Sequence, residues 1–374
     1  MSDSKEHGAA LSTEYAVCVF AILGSIAIVV TALALGASFF IPLTIALLLF
    51  VLLTATIQWI ATREWRGHTC PRWLAHILGI GAVILGLFVA VTIIGRQASQ
   101  VTTAIPKYQE RFASIFERFV SVVGEENAKM AKEQLSSIDL SGIAVDAADQ
   151  AGGFLGGLVL VILYIAFMLA ERGPMARKLR LAIGDQEQHV RIQKVAGEVV
   201  NALQLYVGVK TLCSAMTGTL CYLVLRFVGL DFAETWGLLT FGLNFIPSIG
   251  AILAVFFPAV VALVQFEAIG PFMAVVLGCG LVQFVIGNIF DPAIMGRRLN
   301  LAPFMVILSL TVWSTLWGIA GAFLSVPITV CLLIVFGHIP AIRPLAILMS
   351  GDGLLPPLES APDRVENLPN NESP

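Results

Sequence analysis

The chain has 374 residues, 57% of them hydrophobic and 13% charged, with a mean hydropathy of +0.88. A soluble globular chain carries about 25% charged residues, so the composition excludes a soluble domain and points to an integral membrane protein with several spans. The net charge of −3 argues against a nucleic-acid partner. Residues 1–14 are polar and expected to be disordered. Two spans are predicted over 15–35 and 39–60, joined by a tight turn at Gly36 and Ser38. Pro42 sits in the first turn of the second span, where a missing N–H costs least. A loop with Arg63, Arg66 and Arg72 follows, flanked by Trp59, Trp65 and Trp73 as an interfacial aromatic belt would be. The third span covers 73–95, so residues 15–95 hold the first three transmembrane helices.

Residues 96–151 form the one sizeable polar region. Val101, Ile105, Tyr108, Phe112, Ile115, Phe119 and Val122 recur at alternating spacings of 4 and 3, the narrow seam of a packed helix. A small extracytoplasmic helical domain is predicted there. The fourth span is 153–170. In the charged segment 171–200, Ile192, Val195, Val199 and Leu203 keep helical spacing, so an interfacial helix should run straight into the fifth span, 205–228.

From 152 to 340 the pattern is that of a transport domain. Between Trp236 and His338 the only formal charges are Glu267, Asp291, Arg297 and Arg298, yet Gly and Pro interrupt the stretch repeatedly. A bilayer tolerates broken backbone only where protein or a wet cavity satisfies the freed groups, and broken helices are a transporter feature. Apolar helices are predicted at 236–246 and 249–264, hinged at Pro247 and Ser248. Another is predicted at 272–290, then two more at 303–317 and 323–336, hinged at Gly318 and Gly321. The 236–246 arm is shorter than the roughly 20 residues a crossing needs, which suggests a half-helix or re-entrant arm. Gly250-Ala-Ile-Leu-Ala-Val255 echoes Gly321-Ala-Phe-Leu-Ser-Val326, and matching breaks in two repeats point to a binding site. The tail 341–374 is expected to be largely disordered. Loops 61–72, 171–200 and 291–300 are rich in Lys and Arg and should be cytoplasmic, whereas 229–235 should face outside, which puts both termini in the cytoplasm. The expected fold class is an all-α polytopic membrane protein with about seven or eight transmembrane helices, including broken or re-entrant ones.

Several landmarks occur in order. They are Asn244-Phe-Ile-Pro247-Ser-Ile-Gly250, then Gln283 with Gly287-Asn288-Ile-Phe-Asp291-Pro292-Ala-Ile-Met295-Gly296, then Leu301-Ala302-Pro303, then Gly318-Ile-Ala-Gly321 with Pro327. Over about residues 15–340 the chain resembles the autoinducer-2 exporter-like transporter family. It departs at Ala251, where that family often has proline, and at Ala302, where it often has histidine. The resemblance implies a multi-spanning secondary transporter of a bacterial or archaeal cytoplasmic membrane, assembled as a homo-oligomer. Members of the family are associated with export of the quorum-sensing signal autoinducer-2, and others with sodium or proton antiport.

Polar groups at membrane depth are expensive and default to functional hypotheses. Lys210 either lines a pathway or snorkels to the interface. Asn244 beside the Pro247–Ser248–Gly250 break could bind a cation or a hydroxylated ligand, or simply satisfy the break. Gln283 and Asn288 lie about 140° apart on one helix and could line a cavity or bridge helices. Asp291 could bind a coupling cation or pair with Arg297 or Arg298. The six cysteines form no C-x-x-C and read as small buried hydrophobes. No metalloprotease, nucleophile-elbow or phosphate-loop motif is present, so no catalytic residue, cofactor or metal site is expected. The leading expectation is alternating-access export of a small polar organic molecule across the lipid bilayer. The alternatives are a sodium/proton antiporter coupled through Asp291 and Glu267, and a non-transporting scaffold or receptor.

Overall fold

The computed structural model describes residues 3–62, most of 64–96, Arg111, and residues 140–295 and 300–355. Among these, six helices are long and apolar enough to cross a bilayer, and the fold is an all-α polytopic membrane protein. Helix α1 (Asp3–Leu35) begins within the polar N-terminal stretch, well before its apolar part. Adding a turn to an existing helix needs propagation only, not a new nucleus. Helix α2 (Ala37–Thr62) follows almost without pause. Gly36 N–H still donates to Ala32 O and Phe40 N–H to Gly36 O, at 2.8 and 2.9 Å, so the joint is a bend in the helical ladder rather than a loop. A Cβ at Gly36 would come within 2.8 Å of the Ala32 carbonyl oxygen. The Leu33 carbonyl released at this bend accepts from the Trp317 indole Nε1–H at 2.9 Å.

A two-rung antiparallel ladder, β1 (Glu64–Trp65) and β2 (His68–Thr69), leads to α3 (Trp73–Ile93). The predicted 96–151 helical domain lies mostly outside the described residues, and its last part belongs to α4 (Leu140–Ile183), which runs unbroken across the boundary expected near 151. Gly184, at φ +65°, ends the segment, and the Asp185 carboxylate caps α5 (Gln186–Val228) by accepting from Glu187 N–H at 3.0 Å. This one 43-residue helix joins the charged segment to the fifth span, as the Ile192–Leu203 spacing predicts. Leu48 and Val51 of α2, Leu203, Tyr206 and Val207 of α5, and Leu324, Val326 and Val330 further on form the central core.

Helix α6 (Ala233–Leu243) turns back along α5. Glycines make that approach possible. A Cβ on Gly218 would lie 2.7 Å from the Gly237 carbonyl oxygen, and one on Gly237 would lie 2.7 Å from Tyr222 Cβ. The chain reverses over 244–248 and returns as α7 (Ile249–Gln265). Trp236 stacks on Phe257 with centroids 6.4 Å apart. At the open end Gln265 donates to Gly229 O at 2.9 Å and accepts from Asp231 N–H at 2.8 Å. Helix α7 therefore ends where α6 began, and the pair is a hairpin, not a crossing.

Helix α8 (Ile269–Val285) runs antiparallel to α5, with Gly278 admitting Val224. It continues through a π-turn, Ile286–Phe290, into the short α9 (Asp291–Met295). Helix α10 (Pro303–Gly337) breaks at Trp317 (φ −127°) and Gly318 (φ 59°, ψ −136°). Its two arms fold onto each other. Leu310 and Ala322 share one cluster, and Met305 packs into another beside Leu333 and Phe336. The hinge is Gly318. Gly321 lies within the second arm, where a Cβ would sit 1.8 Å from the Trp313 carbonyl oxygen. The first hairpin opens beside Gly229, the second beside His338, and they meet in between, where Phe245 stacks on Phe323 with centroids 4.6 Å apart.

The tail departs from its expected disorder. Helix α11 (Arg343–Met349) buries Ala346 and Met349 against Leu333. Leu345-Ala-Ile-Leu-Met349 is an apolar run that the acidic and Pro-rich remainder had masked in a composition average. Residues 356–374 lie outside the described residues.

Candidate functional site

A cavity of about 640 Å³ lies where the broken segments converge. Tyr206 and Lys210 come from α5, Pro247 from the tip of the first hairpin, and Val306 and Val326 from the two arms of the second. Gly287, Asp291, Pro292 and Met295 come from the π-turn and α9, and Asn300, Leu301, Gly351 and Asp352 close the His338 end.

The Lys210 ammonium donates to Asp291 Oδ2 at 2.7 Å, and the two side chains are 14% and 16% exposed. Lys210 does not snorkel: it is held inward by a carboxylate. Arg297 and Arg298, the partners considered for Asp291, lie outside the described residues. The π-turn produces this pairing. It adds a residue to the turn, so Asp291 N–H reaches Ile286 O, and π-turns interrupt helices frequently at functional sites. Asp291 Oδ1 and the Tyr206 hydroxyl are buried with no hydrogen-bond partner among the described residues. Such groups cost free energy unless a ligand or water meets them. Tyr206 was missed in the sequence, although its four-residue spacing from Lys210 puts the two on one helix face.

Other predicted residues are placed differently. Asn244 donates to the buried Ser214 hydroxyl at 3.1 Å and so ties the first hairpin's tip to α5. Ser248 has φ +58° and ψ −55°, a tight turn rare for a residue with a side chain, closed by Ile249 N–H donating to Pro247 O at 2.6 Å. A Cβ on Gly250 would lie 1.8 Å from the Leu243 carbonyl oxygen, so glycine there lets the arms close. Gln283 is buried on α8 with Nε2 unpartnered among the described residues, outside the cavity lining. Asn288 is exposed and donates to Phe284 O of its own helix at 3.1 Å, so it neither lines the cavity nor bridges helices. Advancing the chain by a π-turn rotates Asn288 away as it turns Asp291 inward. Glu267 is 74% exposed and paired with Arg111 at 2.9 Å, two residues beyond Gln265 and remote from Asp291. No group of three or more His, Cys, Asp or Glu side chains suited to a metal ion occurs among the described residues.

Residues 19–341 match the family model of the AI-2E family transporter. The chain belongs to that family. A putative transport protein of Borreliella burgdorferi is 32% identical over 259 residues, covering 67% of this chain and 69% of that protein. The AI-2 transport protein TqsA of Escherichia coli is 27% identical over 333 residues, covering 88% and 94%. The putative transport protein YhhT of Escherichia coli is 26% identical over 315 residues, covering 82% and 86%. This AI-2E family member is thus a multi-pass membrane transporter. The matched stretch holds both hairpins, the π-turn and the Lys210–Asp291 pair. It stops short of Gly351 and Asp352, which complete the transporter's cavity wall.

Proposed function

We propose that this transporter exports a small, polar, hydroxylated organic molecule of the autoinducer-2 kind from the cytoplasm by alternating access. The single observation that carries this reading is the cavity built around Lys210–Asp291 where two opposed hairpins meet. Its ion pair is internally neutral, and Asp291 Oδ1 and the Tyr206 hydroxyl have no hydrogen-bond partner among the described residues. That combination suits a neutral ligand rich in hydroxyls better than an ion. The volume, about 640 Å³, falls in the range of small-molecule sites. Arg191 and Arg343 donate to the His338 and Gly337 carbonyls, and this basic end supports a cytoplasmic orientation under the positive-inside rule. On this reading the protein lies in a bacterial cytoplasmic membrane, works as a homo-oligomer and serves quorum signalling. TqsA, similar over nearly its full length, is described as an AI-2 transport protein, in keeping with the same substrate class.

The test is reconstitution of the purified protein in vesicles, with parallel assays of autoinducer-2 efflux and of sodium-driven proton movement. Signal efflux that is lost in Asp291→Asn is expected. Cation exchange without signal efflux would replace this reading with antiport.

A further inference from the structure

A second cavity of about 360 Å³ lies beside the first, nearer the His338 end. Its polar lining is Glu198 and Asn201 of α5 with His338 of the α10 end, and its cover is Leu354 and Leu355. Asn300 lines both cavities. What separates them is a strap, residues 350–355, which contributes Gly351 and Asp352 to one wall and Leu354 and Leu355 to the other. We propose that the smaller cavity is the entry vestibule of the transport path, and that the strap is the gate between it and the central cavity, latched by Asn300.

The latch is built from one side chain used at both ends. Asn300 Oδ1 accepts from Gly351 N–H at 3.1 Å and Asp352 N–H at 3.3 Å, and its Nδ2 donates to Leu354 O at 2.8 Å. The Asn300 carbonyl also accepts from Gly351 N–H at 3.0 Å. Asn300 holds φ +43°, a conformation asparagine tolerates better than other residues with a Cβ. Strain of this kind persists where the surroundings over-determine it, and it clusters at clamps and switch regions.

The two parts of the C-terminal segment are held by different forces, which makes a hinge. Helix α11 is anchored by burial of Ala346 and Met349 and by Ala302 N–H donating to Met349 O at 3.0 Å. Beyond it, Gly351 to Leu354 are exposed, Leu354 at 73%, and Leu355 packs back against the cluster of Leu333, Ala346 and Met349. Few buried apolar contacts and solvent-exposed backbone hydrogen bonds mark the segments that open locally at low cost. Gly353, at φ +73°, supplies a joint within the strap. Release of Asn300 therefore loosens residues 351–354 between two anchors, α11 and the packed Leu355, and the two cavities merge into one route from Glu198 and His338 to Lys210 and Asp291.

This inference rests on the central cavity being the transport path, but its test does not depend on substrate. In a protein whose native cysteines are replaced, Val306→Cys places a reporter on the central cavity wall. A membrane-impermeant thiol reagent is applied from the His338 side of oriented vesicles. Slow labelling is expected with the intact strap, and at least tenfold faster labelling with Asn300→Gly, which suits the backbone angle and removes only the latch. Truncation after Met349 should match it. Equal rates in the latch variant and the intact protein would overturn the gate. A Gly337→Cys, Leu355→Cys pair adds a lock, since Leu355 Cδ1 lies 3.7 Å from where a Cβ on Gly337 would stand. The oxidised pair should slow labelling of Val306→Cys further, and reductant should reverse the effect. Gated labelling in a protein that moves no autoinducer-2 supports the strap and counts against the substrate assignment alone.

Discussion

The Lys210–Asp291 pair yields the sharpest prediction, because its stability and transport roles separate in a double-mutant cycle. Both side chains are about 15% exposed and joined at 2.7 Å. Replacing Lys210 with Met keeps the apolar stem and removes the charge, leaving the Asp291 carboxylate without its counter-ion. Breaking a buried pair this way costs about 3–5 kcal/mol. The pair borders a cavity that water can enter, so roughly 2–3 kcal/mol is expected here, a fall of about 3 °C in apparent melting temperature for a chain of this size. Asp291→Leu alone strands the ammonium and should cost a similar amount. The double variant replaces the pair with apolar groups of similar volume, which is often neutral, so most of the lost stability should return. With each single variant costing roughly 2–3 kcal/mol and the double close to neutral, the coupling between the two positions should be about 4 kcal/mol. Transport should not return, because the cavity has lost both charges that would orient a polar ligand. The assay is detergent thermal unfolding followed by fluorescence, alongside vesicle efflux. Additive losses in the double variant would refute the pairing. Restored efflux in the double variant would refute its transport role.

The two hairpin glycines should be intolerant of a single methyl. Gly250→Ala and Gly321→Ala each place a Cβ 1.8 Å from a carbonyl oxygen, whereas Gly242 and Gly280 have open space. At least a tenfold loss of efflux is expected for the first two, with near-normal efflux for Gly242→Ala and Gly280→Ala; equal effects in all four would remove the case for close-packed arms. Trp317→Phe keeps most of the ring packing but leaves the Leu33 carbonyl without its indole donor, which should cost about 1–3 kcal/mol in thermal unfolding. A wild-type melting temperature would show that the bend at Gly36 does not depend on that bond. Thr240 is 1% exposed with its hydroxyl unpartnered among the described residues, so the isosteric Thr240→Val should leave stability unchanged or raise it by about 1 kcal/mol. A clear drop in melting temperature would reveal a partner for that hydroxyl.

Much of this architecture was legible because it follows from local rules. Gly and Pro breaks in a charge-poor stretch marked the hinges at Pro247 and Gly318, and helical spacing from Ile192 to Leu203 announced the long α5. Reversal of direction was not legible: a hinge between two apolar arms permits a crossing or a return, and the choice rests on tertiary contacts such as Trp236 on Phe257 and Gln265 on Gly229. Residue 291 was found as an intramembrane charge, but its partner lies 81 positions away, and a π-turn decided which of Asn288 and Asp291 faced inward. Ideal helical geometry, with its 100° per residue, had no means to predict that turn. Residues 350–355 were hidden by averaging, since their acidic and proline-rich sequel dominates the composition of the tail.

The echo between Gly250–Val255 and Gly321–Val326 gains physical content from the structure. In each case a Cβ on the first glycine of the repeat would lie the same 1.8 Å from a carbonyl oxygen of the preceding arm, Leu243 in one hairpin and Trp313 in the other. Two short sequences that match while packing identically are constrained by the same need, which is to bring two helical arms together just past a reversal. The hairpins open at opposite ends, one beside Gly229 and the other beside His338, so the shared device is used twice in opposed directions. That opposition gives the cavity between them one hairpin facing each side of the bundle. On the proposed transport reading, a ligand seated against Lys210 and Asp291 would need a way in and a way out, and a pair of matched, opposed hairpins would give each side its own wall without requiring any full-length helix to bend.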